Sequence, residues 1–143
     1  MDLTKEMIGQ KSSPYEFTVE SRHARQFRQA IGDDNPIYSD PAYAEESAYG
    51  EMILPLTFPV AMSGEGVDFP IELDYKRMLH GEQEFIYQQP IRVGDTLTCQ
   101  MKVHDIYEKE GKKGKMQFLV LDTEVHNTEK ELVCISRMNI IYR

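Results

Sequence analysis

The chain has 143 residues and a formal net charge of −8, and 41% of its residues are hydrophobic. This length and composition predict one folded domain over residues 1–143 and exclude a disordered chain. So acidic a surface repels phosphate backbones and argues against a nucleic-acid partner. No apolar run reaches the ~18 residues that span a bilayer, and residues 1–10 lack a signal-peptide core, so we expect a cytoplasmic protein without a membrane partner.

The cysteines and histidines indicate no metal site. Cys99 and Cys134 lie in strand-like stretches, and we expect buried free thiols rather than a disulfide. The histidines are widely scattered, and no Cys/His grouping has metal-ligand spacing, so no metal or cofactor is predicted. His104 and His126 are assigned no role. Residues 109–115, a basic run interrupted by glycine, predict an exposed hairpin loop.

The first predicted elements are a strand over residues 15–20 and a helix directly after it. The strand alternates, with three apolar side chains on one face: Tyr15, Phe17 and Val19. Ser21 is the expected N-cap of the helix, and Gly32 stands where a left-handed residue ends it. The apolar face of the helix is expected to hold Ala24, Phe27 and Ile31.

A polar cluster follows this helix in the stretch GDDNPIYSDPAYA, residues 32–44. Two carboxylates, an amide and a proline are typical of a turn in which Asp and Asn bond their own backbone. The same groups can form half of an acid–base site, if the other half is present. A second short helix is predicted over residues 43–49.

The next stretch, LPLTFPVAMSGEG at residues 54–66, is apolar on all sides until its glycines. A short helix without a polar face must be buried all round. Thr57 is the expected cap of this helix, which puts Pro59 in the first turn, where a missing N–H is tolerated.

Four strands are predicted in the second half of the chain, over residues 81–89, 96–106, 115–126 and 131–142. The third is apolar on both faces in its middle, as in a central strand. A strand, helices and then an antiparallel meander predict an α+β hotdog fold, in which a curved sheet wraps around the central apolar helix. A cone-shaped sheet that cradles helices at one end is the alternative that the pattern leaves open.

Four stretches resemble MaoC-like (R)-specific enoyl-thioester hydratases and dehydratases. They are GDDNPIY from Gly32, LPLTF from Leu54, LHGEQEF from Leu79 and PIRVGDTL from Pro90. The first is similar to the family pattern Gly-Asp-x-Asn-Pro-aliphatic-His. Together they resemble the N-terminal-type half of the superfamily, found in heteromeric acyl dehydratases. The resemblance implies a hotdog fold and an acyl thioester carried by coenzyme A or acyl carrier protein.

The resemblance places Asp33 and Asn35 at the family's catalytic aspartate and asparagine, but Tyr38 at the histidine. Addition of water to an enoyl thioester needs a base for the water and an acid for the α-carbon, which an Asp–His pair can provide. A phenol titrates near pH ~10 and is a poor base at neutral pH. The catalytic site is therefore expected to be degenerate at Tyr38.

The substrate-binding positions implied by the resemblance are Leu56, Thr57, Phe58 and His80. A backbone N–H must stabilise the enolate-like oxygen. Prolines at 55 and 59 have no N–H, which leaves as donors Leu56, Thr57, Phe58 and Val60. Leu56 takes the place of the family's glycine, and His80 is expected near the mouth of the substrate channel.

These observations predict the acyl-thioester-binding subunit of an (R)-3-hydroxyacyl-thioester dehydratase or enoyl-thioester hydratase. A separate MaoC-like subunit would do the chemistry in a heterodimer, and a homodimer through edge strands also stays open. Three other functions remain. One is a self-sufficient homodimeric hydratase that uses Asp33 with Tyr38 or His80. Another is a hotdog thioesterase with Glu45 or Glu51 as base, and the last is a non-catalytic acyl-binding or regulatory module.

Overall fold

The computed structural model describes residues 2–62 and 67–143. Its strands are β1 (Tyr15–Thr18), β2 (Met78–Tyr87), β3 (Thr96–Gly111), β4 (Gly114–His126) and β5 (Leu132–Tyr142). Its α-helices are α1 (Ser21–Ile31) and α2 (Pro41–Glu46). The strands pair antiparallel in the order β1-β3-β4-β5-β2. The α+β class is therefore confirmed, and β4, which was predicted to be apolar on both faces, is the central strand.

The inner face of the sheet carries the core. Leu97, Cys99 and Val103 of β3 are completely buried, as the alternation predicts. A bulge between Val103 and Asp105 then shifts the alternation, so that Ile106 also faces inward and is buried. Beyond this point β3 runs on to Gly111, further than predicted, because the hairpin turn to β4 takes only two residues.

Two tyrosines from opposite edges of the sheet hold the segment between Leu56 and Met62. The Tyr15 hydroxyl on β1 donates to the Met62 carbonyl at 2.9 Å. The Tyr87 hydroxyl on β2 donates to the Leu56 carbonyl at 2.8 Å. Because β1 and β2 are the two outermost strands, these bonds show that the sheet curves around this segment.

The helical part of this central segment is a 3-10 helix over Phe58–Ala61. The prediction that it is buried all round was wrong: Phe58 and Pro59 are buried, but Val60 is 55% exposed. A 3-10 helix has about three residues per turn, so four residues present one side to the core and another to the surface. Thr57 stands at its N-cap without a side-chain capping bond, and Pro59 lies in its first turn as expected. Residues 63–66 of the predicted stretch lie outside the described residues.

The N-cap of α1 is Glu20, not Ser21. Its carboxylate accepts from the backbone at His23, and its own N–H donates to His23 Nδ1 at 2.9 Å. This reciprocal pair satisfies more orphan groups than the Ser21 hydroxyl would. At the other end Gly32 is left-handed, with φ of 71°, as predicted. Ile31 was expected to be buried but is 48% exposed, because α1 packs on the core through its earlier turns.

The second helix begins earlier than predicted, at Pro41. The Asp40 carboxylate accepts from the N–H groups of Ala42 and Tyr43 at 3.0 and 3.3 Å. Asp40 is therefore the cap, and Pro41 takes the first helical position, where its lack of an N–H costs nothing.

The two cysteines are buried free thiols. Cys99 on β3 and Cys134 on β5 both pair with Val125, which lies between them on β4. Two strand spacings separate their Cα atoms by about 9.5 Å, more than the ~7 Å that a disulfide can bridge. Within the described ranges, no helix has both the length and the apolar character needed to cross a membrane.

Candidate functional site

The loop that follows α1 is a tight turn built from its own polar side chains. Asp33 Oδ1 accepts from the Asn35 N–H at 3.0 Å, and Asn35 Oδ1 accepts from the Ile37 N–H at 3.1 Å. The turn chemistry that the sequence allows is therefore present. Each side chain uses only one atom for it, however. Among the described residues, Asp33 Oδ2 and the Asn35 amide nitrogen have no hydrogen-bond partner, so both can meet a ligand.

Contacts on both sides fix this loop. Ile37 is buried and packs with Ala44 and Ile53. Arg28 Nη1 donates to the Asp33 carbonyl oxygen at 3.3 Å, from the last turns of α1. The loop is thus anchored in a small apolar cluster at one end and on α1 at the other.

Tyr38 is a neutral phenol in this setting. Burial, then the charge of Asp33 and then Tyr49 raise the pKa of Tyr38 above its usual value. The Asp33 carboxylate therefore acts on Tyr38, and its effect opposes formation of a phenolate. The Tyr38 hydroxyl has no hydrogen-bond partner in the described part of the chain. Tyr38 can donate a hydrogen bond here, but it is a worse base than a free tyrosine.

The segment before the 3-10 helix has two unused backbone donors. Four N–H groups were candidates from the sequence, and two of them are occupied. Phe58 N–H donates to the Pro55 carbonyl at 2.9 Å, and Val60 N–H donates to the Thr57 carbonyl at 3.3 Å. The N–H groups of Leu56 and Thr57 have no acceptor within residues 2–62 and 67–143. Neighbouring free N–H groups of this kind can bind a carbonyl or enolate oxygen.

Tyr87 is a residue of this site that the sequence interpretation missed. Its hydroxyl donates to the Leu56 carbonyl. Burial, then Cys134 and then Tyr38 raise the pKa of Tyr87, so its phenol lies close to both halves of the site. Because C=O and N–H point in opposite directions across a trans peptide, the bond to Leu56 aims the Thr57 N–H away from Tyr87. The available signal was a tyrosine at the end of a core-facing strand, where its hydroxyl needs a partner.

His80, also predicted to bind substrate, lies elsewhere. It is exposed beside a bulge of β2, with Nε2 3.1 Å from the Glu82 carbonyl oxygen. Seven residues of strand separate it from Tyr87, which corresponds to about 23 Å. The chain therefore brings together Asp33, Tyr38, Leu56 and Thr57, but not His80.

The carboxylates considered for a thioesterase are both exposed. Glu51 Oε1 lies 3.0 Å from Arg92 Nε, and Glu45 lies on α2. In the residues that the structure covers, no hydrogen bond or ion pair joins either carboxylate to the Asp33 loop. The geometry thus gives the thioesterase hypothesis no support.

Comparison with known proteins gives the same family and fold as the sequence motifs. The family described as "FAS1-like, dehydratase domain region" matches residues 6–136. A UPF0336 protein of Thermobifida fusca (strain YX) is 35% identical over 151 residues, covering 100% of this chain and 95% of that protein.

Two solved structures illustrate the fold. The C-terminally truncated HadBC (3R-hydroxyacyl-ACP dehydratase) complex of Mycobacterium tuberculosis superposes with a TM-score of 0.77 at 21% identity, covering 97% of this chain and 99% of that chain. A MaoC-like dehydratase from Rhodospirillum rubrum gives a TM-score of 0.70 at 18% identity, covering 94% and 91%. Both are similar to this chain over nearly its whole length, and the hotdog fold is confirmed. The chain belongs to the FAS1-like dehydratase-region family and is a MaoC-like hotdog protein of the hydratase and dehydratase type.

Proposed function

We propose that this chain is the acyl-thioester-binding subunit of an (R)-3-hydroxyacyl-thioester dehydratase or enoyl-thioester hydratase. A MaoC-like partner with an intact Asp–His pair performs the chemistry, and the thioester is carried by coenzyme A or acyl carrier protein. The observation that carries the proposal is Tyr38. It takes the histidine position of the family pattern, and its surroundings raise the pKa of its phenol.

The missing function is proton transfer from water. To act as a base at neutral pH, Tyr38 would need a pKa about three units below its usual value, a bias of about 4 kcal/mol. The burial of Tyr38 and the nearby Asp33 charge act in the opposite direction. We therefore assign no catalytic step to Tyr38, and Asp33 and Asn35 serve to hold the turn and to contact the bound thioester.

The retained function is binding of the thioester. We assign its carbonyl oxygen to the free N–H groups of Leu56 and Thr57, which the Tyr87 hydroxyl orients through the Leu56 carbonyl. Two donors without competing acceptors suit an oxygen that gains negative charge. The exposed Leu56 side chain (54%) narrows the approach to them relative to a glycine.

The partner subunit is expected to join at β2. This strand is ten residues long, forms one edge of the sheet and has no neighbour on its outer side in the described residues. The opposite edge strand, β1, has only four residues. A long unpaired edge favours addition of another strand, and one of the structures of the same fold is a complex of named subunits. We place the assembly in the cytoplasm, where unbridged thiols are the rule.

The test is to capture the tagged chain from extracts of its own cells and to assay the captured complex for hydration of crotonyl-CoA. In this complex Tyr38→Phe should leave kcat within about twofold, because no proton passes through the hydroxyl. Thr57→Pro, which deletes one free N–H, should raise KM. Loss of kcat by a hundredfold or more in Tyr38→Phe would show that Tyr38 is catalytic and would refute the proposal. Release of free coenzyme A without hydration would identify a thioesterase instead.

A further inference from the structure

We infer that α1 and the groove beside it form a docking surface for an acidic carrier protein that presents the acyl thioester. This inference rests on the proposed function and names the carrier. α1 contains Arg22, Arg25 and Arg28 and no acidic residue, in a chain whose net charge is −8. At three-residue spacing the arginines lie within an arc of about 120° and span about 9 Å along the helix. They form one cationic face, which we call the α1 arginine face.

The three guanidinium groups differ in what they contact. Arg22 Nε lies 2.8 Å from Glu20 Oε2 in an exposed pair, which a competing carboxylate can replace at little cost. Arg28 contacts the Asp33 carbonyl, a neutral group that leaves its charge uncancelled. Arg25 is exposed and has no ion-pair partner in the described residues. The middle cation of the face is therefore free for an acidic partner.

An open groove of about 500 Å³ lies between α1 and the 3-10 helix. Its floor is aromatic: the rings of Phe27 and Phe58 meet edge to face at 5.3 Å, and Phe17 lies 5.9 Å from Phe58. Its rim is polar and includes Arg22 and His23. Because His23 Nδ1 accepts from Glu20, the Nε2 atom of neutral His23 carries the proton and can donate. An apolar floor under a cationic rim fits an amphipathic acidic helix, with an apolar side chain in the groove and carboxylates on the arginines.

The position of this surface favours a carrier over an unrelated acidic protein. Arg28 joins the α1 arginine face directly to the Asp33 loop, so a carrier docked on α1 lies beside the proposed thioester site. The other cluster of cations, at the turn formed by Lys112 and Lys113, lies at the far end of β3. The sixteen residues of this strand span about 50 Å. A carrier bound at that turn would be far from the site.

The experiment measures binding of holo acyl carrier protein to the full chain, alone and in its captured complex. Arg25→Glu is compared with Lys113→Glu, a matched reversal of an exposed cation at the distant turn. We expect Arg25→Glu to weaken binding at least ~10-fold and Lys113→Glu to change it less than ~2-fold, with wild-type binding weakening as salt rises. Arg25→Lys should retain most of the affinity, and circular dichroism checks that each variant is folded.

Free crotonyl-CoA is titrated in parallel to separate the carrier from its prosthetic group. Its affinity should not change in Arg25→Glu. Equal carrier binding by both reversal variants would overturn the docking surface. So would an equal loss of crotonyl-CoA and carrier affinity in Arg25→Glu, which would make α1 a phosphate site for the small thioester. Carrier binding that depends on Arg25, in a complex without hydratase activity, would support the docking surface while refuting the proposed function.

Discussion

The Tyr87 hydroxyl donates a 2.8 Å hydrogen bond to the carbonyl oxygen of Leu56. Tyr87 ends the free edge strand β2, and Leu56 carries one of the two unused N–H groups. This one bond therefore connects the edge proposed to receive the partner subunit with the donors proposed to bind the thioester. Subunit association and thioester binding are expected to depend on each other through Tyr87.

Removing this bond should affect both stability and binding. We expect Tyr87→Phe to lower the free energy of unfolding by about 1 kcal/mol, the usual value of such a bond. It should also weaken binding of crotonyl-CoA, because the Leu56–Thr57 peptide is no longer held. Urea unfolding and ligand titration measure the two effects.

The matched control is Tyr15→Phe, which breaks the equivalent bond to Met62. This variant should lose similar stability but keep its affinity for crotonyl-CoA. If both variants lose the same affinity, the bond to Leu56 has no specific role in binding.

Restoring an imidazole should restore some chemistry. Tyr38→His places an imidazole beside Asp33, and we expect hydration of crotonyl-CoA by the isolated chain to rise at least ~10-fold over its background. The gain should disappear in the double variant Asp33→Asn/Tyr38→His. A gain that survives this second change would show that Asp33 is not the partner of the introduced base.

Stability should fall at alkaline pH. Burial raises the pKa of the Cys99 thiol to about 11 and that of the Cys134 thiol to about 12, from an ordinary value of 9.0. Above pH ~9 the unfolded chain loses these protons while the folded chain keeps them, so the unfolding free energy decreases as pH rises. Their contribution is complete below about pH 9 and is lost as pH approaches 11 to 12.

Chemical unfolding at pH 8, 9, 10 and 11 checks this dependence. Cys134→Ala should show a shallower decrease between pH 9 and 11, since one titrating group has been removed. Stability that is constant or rises over this interval would contradict the burial of both thiols.

The ion pair between Asp122 and Arg137 should be the costliest to break on the sheet. Two contacts of 2.7 and 2.9 Å join the side chains, and Asp122 is only 4% exposed. Arg137→Met leaves this carboxylate buried with only His104 nearby, 3.4 Å away, and should cost about 3 kcal/mol.

A second change separates the ion pair from simple loss of packing. The double variant Asp122→Leu/Arg137→Met should recover most of the lost stability, because no uncompensated charge remains. Arg22→Ala, which breaks an exposed pair, should cost less than about 1 kcal/mol. Thermal unfolding of the three variants gives the ranking, and a double variant as unstable as Arg137→Met would contradict it.

The sheet was predictable because its strands alternate over long stretches. Leu97, Cys99 and Val103 identify the buried face of β3 from their spacing alone, and the flanking turns are polar. Boundaries were less predictable where a side chain two or three residues away sets them. Glu20 replaced Ser21 as the cap of α1 because His23 completes a reciprocal pair, and this pairing is not visible in the identity of Ser21 itself.

The candidate site was predictable in its composition but not in its geometry. The motif named Asp33, Asn35 and Tyr38, and the chain does bring Tyr38 close to Asp33. Tyr87 and the unused state of the Leu56 N–H depend on contacts between distant parts of the chain, which periodicity does not report. His80 was grouped with the site by its motif, although strand geometry keeps it at the other end of β2.

The most direct test of the central claim is the rate of crotonyl-CoA hydration by the purified chain, measured with and without its captured partner. A phenol at position 38 predicts no turnover above background for the chain alone and full turnover for the complex. Turnover by the chain alone that equals the rate of the complex, and that Asp33→Asn abolishes, would contradict the account and identify a self-sufficient hydratase.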